Sequence, residues 1–451
     1  MDLYRKVTKE LLQWKESKVG LIVYGSRQVG KTYILEKFLK ENFDSYTHLN
    51  LYQNVDAIES IIKSKDINDF YLRYSLLCEG SFKNDSVILI DEIQSYYSYI
   101  EKNKINKYFD LMTMSKFIVQ EGKHRLAFSG SLLRLNMDHI VSNPEGYMYP
   151  ITMFPLDFEE FLIANGINEE IIKILKNSLE TLHEVPDFIH ERMLRLYQEY
   201  ILVGGMPAAV SAYLENRSFA SVTFAHKTID TFIRDDIAKY ANDNEKLKIE
   251  EIYDLLPTEL NRVSRRFIIS DIPGHSKNEN EQLSFARLEK AGVAIRVHIA
   301  DEPVIPLAAS SQRNKLKLFN EDVGLLCYYL FDNKTKTMIL DGSLNINSGM
   351  LYENAVAQSL RSHGFKKLYY YNSKKFGEVD FLLEENGTVV PIEVKSGKNY
   401  KRMQAITKLL QIENYTFKKA YVLYNENVMI KDGLIYLPVY LSEFIKHNEG
   451  W

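Results

Sequence analysis

Residues 25–32 read Gly-Ser-Arg-Gln-Val-Gly-Lys-Thr, a complete G-x-x-x-x-G-K-[ST] pattern. The two glycines let the backbone wrap a phosphate, so that successive N–H groups and the following helix N-terminus point at the anion. In this pattern Lys31 reaches the β- and γ-phosphates, and the Thr32 hydroxyl suits Mg²⁺. The pattern therefore predicts a site for a nucleoside triphosphate. The residues predicted to contact it are Gly25, Ser26, Arg27, Gln28, Val29, Gly30, Lys31 and Thr32.

Two adjacent carboxylates, Asp91 and Glu92, end the apolar run that begins at Ser86. We expect Asp91 to hold Mg²⁺ and Glu92 to orient or deprotonate an attacking water, because phosphoryl transfer depends on positioning and charge neutralisation. The alternative is an acidic pair that only caps the next helix. A third apolar run ends in Ser129, which is placed to contact the γ-phosphate or the attacking water as a sensor residue. Ordinary turn chemistry is the alternative there.

Alternating apolar strands and helices must position these residues. The pattern predicts a parallel α/β sheet with its ligand at the carboxyl ends of the strands. We therefore expect the 25–32 loop and Asp91 at one edge of the sheet, on neighbouring strands. The expected strands are 19–24, 46–52, 87–91 and 125–129, and the expected helices are 31–41 and 105–120, with helical stretches near 56–79.

A second group of polar residues surrounds Asn386-Gly387, the dipeptide preferred in two-residue type I′ hairpin turns. Such a turn determines which residues oppose each other across the two strands. The expected pairs are Glu385 with Thr388, Asp380 with Glu393, and Glu378 with Lys395. One face should then carry the charged residues and the other should be buried, unless a bulge intervenes. The residues expected on the buried face are Val379, Phe381, Leu383, Val390, Ile392 and Val394.

The charged face of this hairpin has the residue types of a metal-dependent nuclease. Asp380 and Glu393 repel each other unless a cation lies between them, and hard oxygen ligands suit Mg²⁺ or Mn²⁺. Lys395 would orient or activate water and offset charge on a phosphodiester. The spacing matches the PD-(D/E)xK pattern, although Val379 stands where that pattern has proline. A solvent-facing, salt-bridged hairpin without chemistry is the alternative.

Flanking residues extend the predicted C-terminal site. Glu353, on an expected helix before the hairpin, would be a supplementary acidic metal ligand. Basic residues after the hairpin are placed to meet a nucleic-acid phosphate. These are Lys398, Lys401 and Arg402.

Composition limits the class of protein. The net charge of −4 carries no global nucleic-acid signature, so any such contact must use local patches. Two cysteines, Cys78 and Cys327, lie far apart in the sequence, which excludes a disulfide framework and fits a reducing compartment. The chain shows neither an apolar run of membrane-spanning length nor a signal peptide, so we expect a cytoplasmic protein without a membrane partner.

A chain of 451 residues exceeds one hydrophobic core and should divide into domains. We predict a P-loop core at 1–154, a helical lid at 155–235, a winged-helix domain at 236–330 and a nuclease-like domain at 331–451. Gly204-Gly205-Met206-Pro207 should form a turn or hinge in the lid. One side of the winged helix is basic and predicts DNA contact, with a solvated face as the alternative. Its basic residues are Arg262, Arg265, Arg266, Arg287, Lys290 and Arg296.

Together these motifs resemble a large bacterial and archaeal group of AAA-type ATPases with a C-terminal domain of unknown function of PD-(D/E)xK-like fold. The resemblance rests on the 25–32 loop, Leu89–Gln94, Ser129-Gly-Ser, Gly204–Pro207 and the hairpin residues, with Ser396-Gly397 following Lys395. It implies that the nucleotide is ATP and that a winged helix separates the two end domains. The group usually has Gly-Arg where this chain has Gly146-Tyr147. If that arginine serves the nucleotide, this chain would use another, such as Arg134, or hydrolyse ATP slowly.

Several functions remain compatible with the sequence. The first is a slow, Mg²⁺-dependent ATPase whose nucleotide state controls a winged-helix and nuclease-like module that cuts DNA. The alternative is an ATP-dependent switch with a catalytically silent C-terminal domain that binds a partner. A phosphoryl transferase to a small acceptor is a third, against which Glu92 argues because a dedicated kinase need not have it. DNA, a protein partner and a second copy of the chain are the partners considered.

Overall fold

The computed structural model describes residues 2–131, 146–240, 243–261, 280–346, 348–397 and 404–447. The chain divides into two compact units. The N-terminal unit comprises Arg5–Phe154 and Lys290–Gly292, and the C-terminal unit comprises Met1–Tyr4, Pro155–Glu289 and Val293–Trp451. The four predicted domain boundaries stay predictions. No helix in the described ranges combines the length and apolar character needed to cross a bilayer.

The N-terminal unit is built on a mainly parallel sheet, as the alternation of strands and helices predicts. Its described strands lie in the order β3-β2-β4-β5-β1-β6, and only β2 and β3 pair antiparallel. Because β5 lies between β1 and β4, the expectation that the loop and Asp91 follow neighbouring strands is wrong. The strands are β1 (Gly20–Gly25), β2 (Tyr46–Asn50), β3 (Glu79–Gly80), β4 (Val87–Asp91), β5 (Arg125–Gly130) and β6 (Met148–Met153).

Local capping sets the helix bounds of this unit. The helix expected at 105–120 begins at Leu111, because the Asp110 carboxylate accepts the N–H groups of Met112 and Thr113. It ends at Glu121, where Gly122 adopts a left-handed conformation with φ +67°. The helices are α1 (Val7–Glu16), α2 (Lys31–Asn42), α3 (Val55–Ile62), α4 (Ile67–Leu77), α5 (Gln94–Lys102) and α6 (Leu111–Glu121).

The C-terminal unit contains a second, mixed sheet, whose described strands lie in the order β13-β14-β12-β11-β10-β9-β7-β8. The β7–β8 hairpin, which we expected in a winged helix, pairs through β7 with β9 and so belongs to the same sheet as the C-terminal strands. The winged helix is therefore not confirmed. The strands are β7 (Ala294–Ala300), β8 (Ser311–Asn320), β9 (Leu368–Ser373), β10 (Gly377–Glu385), β11 (Thr388–Val394), β12 (Tyr421–Tyr424), β13 (Met429–Lys431) and β14 (Leu434–Pro438).

Most of the described residues from 155 to 240 are helical, as the spacing over 155–235 predicts, and further helices lie between 243 and 362. Gly204, with φ +77°, ends one helix and leads into the turn predicted at Gly204–Pro207. A Cβ atom at Gly205 would collide with the carbonyl oxygen of Leu156, so the turn is tightly packed. The helices are α7 (Phe158–Ala164), α8 (Glu169–Thr181), α9 (Asp187–Val203), α10 (Pro207–Asn216), α11 (Phe219–Tyr240), α12 (Asp243–Asn261), α13 (Asn280–Lys290), α14 (Val323–Leu330), α15 (Asn333–Leu340), α16 (Gly349–Ser362) and α17 (Gln404–Leu410), with 3-10 helices at Leu307–Ser310 and Val439–Phe444.

The β10–β11 hairpin has the predicted register from Glu385 opposite Thr388 to Phe381 opposite Ile392. A bulge interrupts the pairing of β10 with β9 between Val379 and Leu382. Val379 consequently packs in one cluster with Leu382 and with helix α17, whereas we expected it on the face of Phe381. The expectation of a single buried face is also wrong, because this hairpin lies inside the sheet and both of its faces are covered.

Candidate functional site

The 25–32 loop joins β1 to α2 in the N-terminal unit. Gly30 precedes the helix with φ +89°, a left-handed conformation that glycine adopts without strain. Lys31 opens the helix and is only 6 % exposed. Its ammonium donates hydrogen bonds to the carbonyl oxygens of Gly25, at 3.1 Å, and Ser26, at 2.9 Å. The loop therefore holds a buried positive charge across its own backbone, as a phosphate cradle requires.

Asp91 contacts residues from the phosphate loop and from the two strands beside β4. Its Oδ2 accepts a hydrogen bond from the Thr32 hydroxyl at 2.7 Å, and its Oδ1 accepts one from the Ser129 hydroxyl. The Ser129 contact exists because β5 lies beside β4. Asn50, at the end of β2, donates its side-chain amide to Asp91 Oδ2 at 3.3 Å. Three motif residues and Asn50 thus form one hydrogen-bonded group. We call it the Asp91 cluster: Thr32, Asn50, Asp91 and Ser129.

The surroundings of Asp91 favour its ionised form. Burial raises the pKa of this carboxyl, but the nearby His48 imidazole and the Ser129 and Thr32 hydroxyls outweigh it, so the pKa is lowered. His48 Nε2 lies 3.8 Å from Asp91 Oδ2, and His48 Nδ1 lies 2.9 Å from Glu36 Oε1. Although burial lowers the pKa of His48, the carboxylates around it raise the pKa overall. Asp91 is therefore a ready anionic ligand for a cation.

Glu92 adjoins this cluster in an unusual backbone conformation, with φ +56°. Its Oε2 accepts a hydrogen bond from the Gln94 side-chain amide, whose nitrogen also lies 3.2 Å from the Ser131 hydroxyl. Burial is the largest influence on Glu92 and raises its pKa, with Lys31 opposing and Asp91 adding to the shift. A carboxylate with a raised pKa is a better proton acceptor, which suits the predicted role.

Sequence reasoning missed three polar residues of this site. Asn50 and His48 lie on β2. The sequence showed only that these polar residues lie in a predicted strand, not that the strand pairs with β4. Gln94 comes two residues after Glu92, and its contact with Glu92 could be predicted only with knowledge of the turn after β4. Arg134, the arginine proposed to compensate for Tyr147, lies outside the described residues.

The side chains around Asp91 fit Mg²⁺ and a triphosphate. A hydroxyl and an ionised carboxylate are hard oxygen donors of the kind that Mg²⁺ prefers in nucleotide sites. Thr32 and Asp91 would hold the ion, and Lys31 with the loop N–H groups would hold the phosphates. When bound, the ion neutralises phosphate charge and fixes the orientation of the transferring group.

The C-terminal unit brings its predicted site residues together as well, but with an unexpected member. Lys317, on β8, has no exposed surface. Its ammonium lies 2.7 Å from Glu378 Oε1, 3.6 Å from Glu353 Oε2 and 3.9 Å from Asp380 Oδ1. It also lies 5.1 Å from the centre of the Tyr370 ring. A fixed cation of the chain itself therefore stands among the carboxylates that we predicted to share a metal.

Two further motif residues of the hairpin, Glu393 and Lys395, belong to the same group. Lys395 Nζ lies 2.5 Å from Glu393 Oε1, and Asp380 Oδ2 accepts the N–H of Val394 at 2.8 Å. Burial, with Asp380 close by, raises the pKa of Glu393 to about 7. We call the whole group the carboxylate–lysine cluster. Its members are Lys317, Glu353, Glu378, Asp380, Glu393 and Lys395.

The predicted metal ligands of this cluster do not converge. Across the described ranges, Glu353, Asp380 and Glu393 do not form a group whose ligand atoms all lie within 4.8 Å of one another. Each of the three has a lysine ammonium within ion-pair distance: Glu353 and Asp380 have Lys317, and Glu393 has Lys395. The basic residues Lys398, Lys401 and Arg402 lie outside the described residues.

A cavity of about 700 Å³ opens beside this cluster within the C-terminal unit. It is lined by α9, α16 and the residues that follow β11, including Ser396 directly after Lys395. Its wall combines apolar side chains with amides and a carboxylate, a composition typical of ligand pockets. The lining residues that carry this description are Gln198, Leu202, Tyr352, Ser396, Asn425 and Glu426.

Comparison with protein families divides the chain into three matched regions. Residues 17–162 match the family described as an AAA domain. Residues 194–336 and 348–441 match two families, each described as a domain of unknown function, DUF8612 and DUF4143. The N-terminal region is thus a P-loop ATPase domain of AAA type. The resemblance to ATPases with a C-terminal domain of unknown function is confirmed to that extent, and the PD-(D/E)xK assignment is not supported.

Three of the solved structures that match this chain are distant from it in sequence. A Walker-type ATPase of Pyrococcus abyssi is 13% identical, with a TM-score of 0.44 over 73% of this chain and 96% of that one. The ORC1 protein of Aeropyrum pernix, solved with DNA, is 12% identical, with a TM-score of 0.30 over 75% of this chain and 95% of that one. Cdc6p of Pyrobaculum aerophilum is 10% identical, with a TM-score of 0.23 over 74% and 92%. Among curated proteins, no sequence matches this chain.

Proposed function

We propose that this protein is a slow Mg²⁺-dependent ATPase. The observation that carries the proposal is the direct contact of Thr32 with Asp91, which joins the phosphate loop to the acidic strand end, with Glu92 as the next residue. Lys31 would stabilise charge on the β- and γ-phosphates. Glu92, with its raised pKa, would take the proton of the attacking water. Ser129, hydrogen-bonded to Asp91, would report the state of the γ-phosphate to that strand end.

Two substitutions separate binding from turnover. We expect Glu92→Gln to retain ATP affinity and to lower kcat by about 10²–10⁴-fold, because an amide orients water but cannot accept its proton. Lys31→Ala should weaken ATP binding itself. Calorimetry measures the affinity, and phosphate release measures the rate. Glu101→Gln, on the exposed surface of α5, is the matched control.

Two results would refute these assignments. Normal turnover in Glu92→Gln would show that another group activates the water. Absence of any heat with ATP and Mg²⁺ in the unmodified protein would refute the proposed activity altogether.

For the C-terminal unit we propose a binding module without nuclease activity, which responds to the nucleotide state. Lys317 supports this, because its buried ammonium already lies within ion-pair distance of Glu353, Glu378 and Asp380, where a catalytic cation would be needed. The cavity beside the cluster offers a site for a partner group. A metal-dependent DNA nuclease is the second candidate, favoured by the convergence of Asp380, Glu393 and Lys395 at one end of the hairpin.

Incubation with plasmid decides between the two. The full-length protein is incubated with supercoiled DNA and Mg²⁺ or Mn²⁺, with and without ATP. We expect no cleavage, and the same result for Lys395→Ala. Cleavage that disappears in Lys395→Ala would refute the silent module and establish the nuclease.

A further inference from the structure

Three segments of the C-terminal unit meet at a buried group that the motifs do not include. Asp157 precedes α7, His363 follows α16, and Glu443 lies in the last 3-10 helix. The side chains of Asp157, His363 and Glu443 are 10 %, 6 % and 2 % exposed. One ligand atom from each lies within 4.8 Å of the others, and this is the single group of that kind found in the described ranges.

The two distances from His363 Nε2 match the separation between ligands of a shared ion. His363 Nε2 lies 3.3 Å from Glu443 Oε1 and 3.5 Å from Asp157 Oδ2. Charge-assisted hydrogen bonds between nitrogen and carboxylate are shorter, about 2.7–2.9 Å. Ligands about 2.0–2.1 Å from a tetrahedral ion are separated from each other by about 3.3–3.4 Å. Although buried, Nε2 makes no hydrogen bond to the described residues.

The remaining polar atoms of the three side chains hold them in this orientation. His363 Nδ1 lies 2.7 Å from the Ser359 carbonyl oxygen, to which it donates its proton, and Nε2 faces the carboxylates of Asp157 and Glu443. Burial lowers the pKa of His363, but these two carboxylates raise it to about 9. Asp157 Oδ1 accepts the N–H of Glu160 at 2.9 Å, and Glu443 Oε2 accepts the N–H of Phe158 at 3.2 Å. Histidine ligands of metals are typically oriented in this way by a backbone carbonyl.

We propose that Asp157, His363 and Glu443 bind one divalent transition metal ion, of which zinc fits best. One imidazole and two carboxylates suit zinc, and water would supply the remaining coordination. The burial of all three ligands indicates a structural role. The ion would tie the start of α7 and the end of the chain to α16, which carries Glu353 of the carboxylate–lysine cluster.

A proton on Nε2 is the competing occupant of this position, because it too would neutralise the two carboxylates. His363→Lys distinguishes the two occupants. A lysine ammonium keeps a positive charge between Asp157 and Glu443, whereas at pH 7 it supplies no metal ligand. Glu443→Gln keeps the size of the side chain and removes one anionic ligand.

The experiment uses the full-length protein after chelation and exchange into metal-free buffer at pH 7. Co²⁺ is titrated as a spectroscopic substitute for zinc, and visible absorption reports tetrahedral coordination. We expect one equivalent of intense absorption that Zn²⁺ abolishes, together with a rise in the thermal midpoint on adding Zn²⁺. Both should be lost in His363→Lys and Glu443→Gln. His183→Lys, at an exposed histidine of the same unit, and Asp380→Asn should retain both.

Two outcomes would overturn the site. The first is a protein that shows neither the absorption nor the thermal shift, which would leave a proton as the occupant. The second is unchanged Co²⁺ absorption in His363→Lys and Glu443→Gln, which would place the ion elsewhere.

Discussion

The Asp91 cluster and the carboxylate–lysine cluster both gather acidic side chains at motif positions, yet they neutralise them differently. Around Asp91 the partners are the His48 imidazole, two hydroxyls and an amide, and the pKa of Asp91 is lowered. In the C-terminal unit, Lys317 and Lys395 lie against the carboxylates, and the pKa of Glu393 is raised. The first site keeps an anion that an exchangeable ion can meet. The second supplies its own cations.

This difference separates a pattern of residue types from the chemistry they can perform. Both patterns contain the acidic residues that a divalent cation needs. In the first, the described groups that contact Asp91 are hydroxyls, an amide and the His48 imidazole, whereas in the second two lysine ammonium groups lie against the carboxylates. A matching spacing is therefore a weaker indication of metal catalysis where a buried lysine from another segment reaches the same carboxylates.

Lys317→Met is expected to have the largest effect of the substitutions that test this difference between the two clusters. Removing the ammonium leaves the charges of Glu353, Glu378 and Asp380 uncompensated in a buried position, so we expect a loss of about 3–5 kcal/mol in the free energy of unfolding. Lys315→Met, on the exposed surface of the same strand, is the matched control and should change little. Chemical denaturation measures both.

Unfolding of Lys317→Met in the presence of Mn²⁺ tests the same role of Lys317. If Lys317 stands in for a divalent cation, Mn²⁺ should recover part of the stability lost in Lys317→Met and leave the unmodified protein unchanged. A variant as stable as Lys315→Met, with no response to Mn²⁺, would show that the ammonium does not neutralise this cluster.

A smaller effect is expected in the Asp91 cluster. Thr32→Val removes the hydroxyl that donates to Asp91 and that would meet Mg²⁺, at nearly constant volume. We expect the Mg²⁺ requirement of ATP binding to rise about ten- to hundredfold, the value of a hydrogen bond to a charged group. Thr32→Ser keeps the hydroxyl and should behave as the unmodified protein. Equal Mg²⁺ dependence in the two variants would exclude the hydroxyl from ion binding.

The smallest expected effect is the pH dependence of stability, for which the two clusters differ. The pKa of Glu393 is about 7 in the folded protein and 4.5 as the ordinary value, so the folded state keeps a proton that the unfolded chain releases. Its contribution therefore falls as pH rises from 4.5 to 7. Asp91 has a lowered pKa, so its contribution is constant above 3.8 and is lost only below it.

Unfolding at pH 5.5 and pH 8 in chelating buffer measures this difference. We expect the unmodified protein to be more stable at pH 5.5 by up to about 2 kcal/mol relative to Glu393→Gln. An identical pH profile in Glu393→Gln would show that Glu393 does not carry the raised pKa.

Much of the N-terminal site followed from local pattern. The glycine loop, β4 ending at Asp91 and β5 ending near Ser129 all occur where their apolar runs and terminating polar residues placed them. Contact between Thr32 and Asp91 could also be anticipated, because both follow parallel strands. The participation of Asn50 and His48 could not be anticipated, because neither segment alone indicates that β2 pairs with β4.

The hairpin shows the same limit at shorter range. Asn386-Gly387 predicted the turn and the register as far as Phe381, because a two-residue loop leaves few alternatives. The bulge near Val379 was not predictable, since it arises in the pairing of β10 with β9. The β7–β8 hairpin, which we expected in a winged helix, instead belongs to the C-terminal sheet because β7 pairs with β9. That pairing was not predictable from the hairpin alone.

By itself the amino-acid sequence determined the phosphate loop with the helix that follows it, the acidic strand end and the hairpin turn, because each depends on periodicity or turn chemistry within a few residues. Only the tertiary structure decided the strand order in both sheets, the insertion of Lys317 among the C-terminal carboxylates and the meeting of Asp157, His363 and Glu443. These contacts join residues far apart in the chain, and their energy comes from long-range backbone pairing and shared burial, which no local pattern records.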